Sequence, residues 1–96
     1  MAKLTLISPH KRPLKSLVEA AFRSELRLLE AGIHRTEQKV REFETRYGLP
    51  SAEFIRRYEQ GEFEETLEFA EWIGEYRLLQ RLREKATTLQ EIRFIN

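Results

Sequence analysis

At 96 residues the chain has room for one domain and sits near the lower size at which a single core is self-sufficient, so association with another chain is in question from the start. Charged residues make up 34% of the chain, against about 25% in an average domain. Yet 17 Lys and Arg against 16 acids, every one a Glu, leave a net charge of only +1, which removes the case for a strongly polyanion-seeking protein. The absence of Cys excludes disulfides and thiolate metal sites. The first residues lack the uninterrupted apolar run of a signal peptide or a membrane span, so a cytoplasmic protein with no membrane contact is expected.

Three punctuation marks divide the chain: Pro13, the Tyr47-Gly48-Leu49-Pro50-Ser51 segment, and Gly61. Residues 1–12 are expected to be an extended or disordered arm ahead of a single helical domain at 13–96. Leu4, Thr5, Leu6 and Ile7 favour a strand, and Pro9 and Pro13 bracket a basic knot. From Pro13, suited to a first helical turn, only Gly32 interrupts the chain before Gly48, a C′ candidate with Pro50 just beyond. This predicts a first helix over 13–47, roughly 50 Å long at 1.5 Å per residue. Ser51 then suits the N-cap of a short helix over 51–60, closed by Gly61. A second long helix is expected over 64–90, its opening turns rich in Glu as the helix dipole favours.

The spacing of the apolar residues says how these helices meet. Phe22, Leu26, Leu29, Ile33, Thr36, Val40, Phe43 and Tyr47 recur at alternating intervals of four and three, the seam of a left-handed coiled coil with a polar slot at Thr36. Phe69, Trp72, Tyr76, Leu79, Leu82, Ala86 and Leu89 form a nearly matching seam on the last helix. Two such seams with a compact connection predict an all-α fold: a long antiparallel helical hairpin with the short helix across its tip. Setting Phe43 against Phe69 places Val40 against Trp72, Thr36 against Tyr76, Ile33 against Leu79 and Phe22 against Leu89. The same register puts Arg46 near Glu64, Lys39 near Glu71 and Arg35 near Glu75, so charges and apolar pairs agree. Eight of the ten aromatics lie between Phe43 and Tyr76, which predicts an aromatic tip anchored by Phe54 and Tyr58.

The first half of helix one carries more apolar surface than one neighbour can cover. Leu14, Leu17, Ala21 and Leu28 widen its stripe to about 180°. A second copy packed into a four-helix bundle is the simplest cover, giving a homodimer, and a different protein is the alternative. Glu64, Glu68, Glu71 and Glu75 form an acidic stripe beside Trp72 that could dock a basic protein, although ion pairing to helix one is the plainer account. A carboxylate di-metal site would need inward Glu-x-x-His pairs, which neither His10 nor His34 supplies, so no metal and no cofactor are expected. Gly32 and Gly74, both inside helices, suggest close approach of another backbone. Lys3, His10, Lys11, Arg12 and Lys15 could touch phosphates as arms of DNA-binding proteins do, but charge runs are usually solvated, and nucleic acid is not the expected partner. Nothing resembles a phosphate loop, a nucleophile elbow or paired catalytic carboxylates, so an enzyme is not expected.

The run Tyr47-Gly48-Leu49-Pro50-Ser51, with Glu53-Phe54, Tyr58-Glu59, Gly61-Glu62, Glu71-Trp72, Gly74, Tyr76, Leu79 and Leu82, resembles small helical proteins of prokaryotes encoded beside a small toxin as the antitoxin of a toxin–antitoxin pair. The resemblance covers about residues 47–89 and rests on structural residues. It implies a protein-binding module that neutralises a cognate toxin by covering its surface. Leu14, Leu17, Ala21 and Leu28 would bury against the toxin, the Leu4, Leu6 and Ile7 arm could add to a sheet edge, and Trp72 with the four acidic residues would face a basic surface. Two other readings are a self-associating structural bundle with no obligate partner and an autoregulating DNA binder that uses the basic arm.

Overall fold

The computed structural model describes residues 3–5 and 14–95, with side chains for residues 14–92. Five elements follow in order: β1 (Lys3–Thr5), α1 (Leu14–Tyr47), α2 (Ser51–Glu59), α3 (Leu67–Glu91) and β2 (Arg93–Ile95). The three helices carry the fold, with α1 and α3 packed side by side as a hairpin and α2 laid across its tip. The molecule measures 61 × 22 × 18 Å, and the 34 residues of α1 account for about 51 Å of its length.

The seams meet as the four-three spacing requires. Leu29, Thr36, Val40 and Phe43 are buried on α1, and Trp72, Leu79 and Ala86 on α3. Phe22, Leu26, Ile33, Leu82 and Leu89 are half-buried between them. Thr36 fills the polar slot by donating its hydroxyl to the Gly32 carbonyl at 2.8 Å, so no buried oxygen is stranded. The ion pairs cross in descending order, Glu37 with Arg83, Lys39 with Glu71 and Arg46 with Glu68, as antiparallel helices demand.

At the tip the register slides from the expected one. Phe43 stacks on Trp72 (5.6 Å, 8°) instead of meeting Phe69, whose ring partners are Tyr47, Phe54 and Phe63. Arg46 accordingly pairs with Glu68 and not with Glu64, which lies ahead of α3 altogether. The cause is α2: Phe54 lies flat on the Trp72 indole at 3.8 Å and 3°, and both side chains are wholly buried. Packing the largest ring between two helices decides the local register.

The ends of the helices differ in chemistry from the expected caps. Gly48 (φ 63°) and Gly61 (φ 78°) both adopt the left-handed conformation that terminates α1 and α2. Pro50, however, holds the N-cap position of α2, and Ser51 is its first residue. Helix α3 starts three residues later than 64, because Thr66 is a true N-cap whose Oγ1 accepts the Phe69 N–H at 3.1 Å. Gly74 has nothing within 4 Å of where a Cβ would stand, and Gly32 would meet only Leu82 Cδ1 at 3.5 Å. Neither glycine marks a close backbone approach.

At the open end β1 pairs with β2 in parallel, Lys3 to Arg93, Leu4 to Phe94 and Thr5 to Ile95. The strand tendency of the arm is realised at Lys3–Thr5, while its partner, Arg93–Ile95, was not anticipated. The remaining arm residues of the sequence reading, Leu6, Ile7, His10, Lys11 and Arg12, lie outside the described residues.

Candidate protein-binding surface

The two ends of the hairpin are built differently. At the tip, α2 covers the seam. Trp72 donates its indole N–H to Ser51 Oγ at 2.8 Å, Ser51 Oγ donates to Glu44 Oε2 at 2.8 Å, and the Ser51 backbone N–H reaches the same carboxylate oxygen at 2.8 Å. The carboxylate thus satisfies a free N–H in the first turn of α2, where negative charge is favoured, and the serine satisfies the only polar atom of the buried indole. The seam is closed here, and Trp72, fully buried, is not available as the surface contact that the acidic stripe suggested.

Among the described residues the open half has no such cover. Leu17 is 62% exposed and Leu28 67% exposed, Ala21 is exposed between them, and Leu14 is half-buried. Ser24 and Ala31, small residues that a scan for large apolar side chains passes over, continue the same exposed row. Helix α3 covers only the opposite flank of α1, and it too leaves grooves at this end. One of about 540 Å³ is floored by Leu29 and Leu89 with Glu25, Arg81, Glu84 and Lys85 around it; a smaller one of about 180 Å³ is lined by Phe22, Leu26 and Leu89 with Glu19 and Arg23. Apolar floors with mixed-charge rims suit protein contact better than a small polar ligand.

The acidic stripe is largely engaged within the hairpin. Glu71 meets Lys39 at 3.6 Å, and Glu68 binds Arg46 and lies beside the Tyr47 hydroxyl. Donation from Tyr47, then from Arg46, holds the Glu68 carboxyl below the usual carboxylate range, and the Glu68 carboxylate in turn raises the Tyr47 phenol and the Arg46 guanidinium. Glu64 makes no ion pair among the described residues, and Glu75 lines a groove with Arg35, Lys39 and Leu78 without pairing to Arg35. Of the basic knot, Lys3 is described only as backbone in β1, and Lys15 lies 3.9 Å from Glu19 on its own helix. Leu4 is likewise described only as backbone.

Among the described residues no three His or Glu side chains cluster as metal ligands do, and no helix is long and apolar enough to cross a membrane. Sequence reasoning overlooked the α2–α3 side of the molecule. A groove there of about 550 Å³ is lined by Ile55, Arg56, Tyr76, Arg77 and Gln80, a mixed surface whose only signal was the residues left over once the seams were assigned. Leu67, the first residue of α3 and outside its seam, is 87% exposed. No known protein family, curated protein or solved structure matches the chain.

Proposed function

We propose that this protein is a protein-binding module that works through the open half of its hairpin, as an antitoxin covering the surface of a small cognate toxin. The observation that carries the reading is the pair of apolar-floored grooves beside the exposed row Leu17, Ala21 and Leu28, in the half of the hairpin whose seam α2 does not cover. Contiguous apolar surface costs free energy in water, and a chain retains it where a partner covers it. The grooves supply pockets for anchoring side chains, and the charged rim of Glu19, Glu25, Arg81 and Lys85 supplies orientation. The class of partner rests on the antitoxin-like run from Tyr47 to Leu82.

Co-expression of the chain with the product of a neighbouring short reading frame tests this. The expected result is a complex that survives purification and rescues growth otherwise arrested by the neighbour. Separate elution with no rescue rejects the antitoxin assignment.

A further inference from the structure

We infer that the exposed row on α1 is a self-complementary seam whose occupant is the same row of a second copy, with the two α1 helices running antiparallel. The inference rests on the open half being an interface, as proposed above, and assigns one face of it.

The argument begins with the pattern. From Leu14 one exposed or half-exposed row of apolar and small residues runs Leu14, Leu17, Ala21, Ser24, Leu28 and Ala31, at intervals of three, four, three, four and three. This is a second coiled-coil seam on α1, directed away from the one that α3 occupies. Read backwards, its central four run large, small, small, large again. A two-fold interface requires one patch to fit itself, residue i on j and j on i. Antiparallel pairing about a point between Phe22 and Arg23 does this: Leu17 meets Leu28 of the copy, Ala21 meets Ser24, and Leu14 meets Ala31. The small central pair lets the helix backbones approach closely while leucines fill both ends. Flanking the seam, Glu25 falls beside Val18 and Arg27 beside Ala20 of the copy, so no like charges oppose one another. A parallel pair would instead set Arg35, the next seam position after Ala31, against its own counterpart.

The surface of the molecule accommodates this. A compact monomer of 11.5 kDa exposes about 5,800 Å², whereas this chain exposes 7278 Å², a surplus of roughly 1,500 Å². A standard interface removes about 800 Å² from each partner, so burying the seam and its margins uses about half of what the elongated shape leaves over. The apolar-floored grooves remain free for a second, different protein.

Sedimentation equilibrium of the purified chain at tens of micromolar should give twice the 11.5 kDa monomer mass. The double variant Leu17→Glu/Leu28→Glu, altered only at exposed positions, should keep its helical circular dichroism and sediment as a monomer. Because the chain has no native cysteine, orientation can be read directly. Leu17→Cys chains mixed with Leu28→Cys chains should form a mixed disulfide on mild oxidation, while Leu17→Cys chains alone should not. In the antiparallel register the two Leu17 positions stand about 16 Å apart, beyond disulfide reach. A monomeric wild type, a double variant that stays dimeric, or efficient cross-linking of Leu17→Cys chains to themselves would each overturn the inference. Failure here is separable from failure of the antitoxin reading: a dimer that captures no neighbouring gene product rejects only the latter, and a monomer that forms a one-to-one complex with that product rejects only the former.

Discussion

Ser51 shows how a residue can be correctly noticed and wrongly employed. Its position after Pro50 and before an apolar run suggested an N-cap, but its hydroxyl instead joins the Trp72 indole to Glu44, deep in the tip. Sequence pattern reports local capping chemistry, and a bond between residues 21 apart is invisible to it. Ser51→Ala should leave the indole N–H buried without a partner and cost about 1–3 kcal/mol in a urea titration. A change below a few tenths would mean that the network does not hold the tip. Gly74 makes the opposite case: with no backbone nearby, it is merely a weak point in α3. Gly74→Ala should therefore raise stability by about 1 kcal/mol, and destabilisation would reveal a contact at that position.

At the scale of elements, the three helices and their punctuation were legible because each signal is local. Gly48 and Gly61 end helices by their left-handed backbone, and the four-three seam defines the buried face of each long helix. The register near the tip was not, since it depends on how Phe54 of α2 settles on Trp72, a long-range fit. Phe54→Ala should remove about 3–5 kcal/mol by opening a cavity beneath the indole, measured by denaturation and by a red shift of tryptophan fluorescence. The β1–β2 pairing was also beyond reach, because three-residue strands at opposite ends of a chain carry little periodicity. Charge contributes at this scale through Glu68 and Glu53, both held below the usual carboxylate range, Glu68 by Tyr47 and Arg46 and Glu53 by Arg56. A depressed carboxyl stabilises the fold above its unfolded pKa, and that contribution disappears as pH falls through the folded value. The melting temperature should hold near neutral pH and decline below the ordinary carboxylate range, with a shallower decline in Glu68→Gln. Identical acid profiles for the two proteins would remove Glu68 from the account.

The whole molecule is a rod whose helical seam is covered by α2 at one end and left uncovered at the other. Its radius of gyration, 19.0 Å, compares with about 12.5 Å for a compact domain of this length. The wide apolar face of α1 was readable from the sequence as a surplus over what one helix covers, and the exposure of Leu17 and Leu28 is its structural form. What covers that face, the same row of a second copy, follows only once the row is read in both directions, because a two-fold interface records both of its halves in one chain. An open half that depends on a partner should be less stable when free, since local opening is easiest where buried apolar contacts are fewest. Amide hydrogen exchange along α1, followed in dilute free protein and again in the associated state, measures this most directly. The account predicts strong protection from Thr36 to Tyr47 under both conditions, and protection from Leu14 to Ala31 that is weak in dilute solution and rises severalfold on association. Full and unchanging protection of Leu14 to Ala31 in the dilute free chain would contradict it.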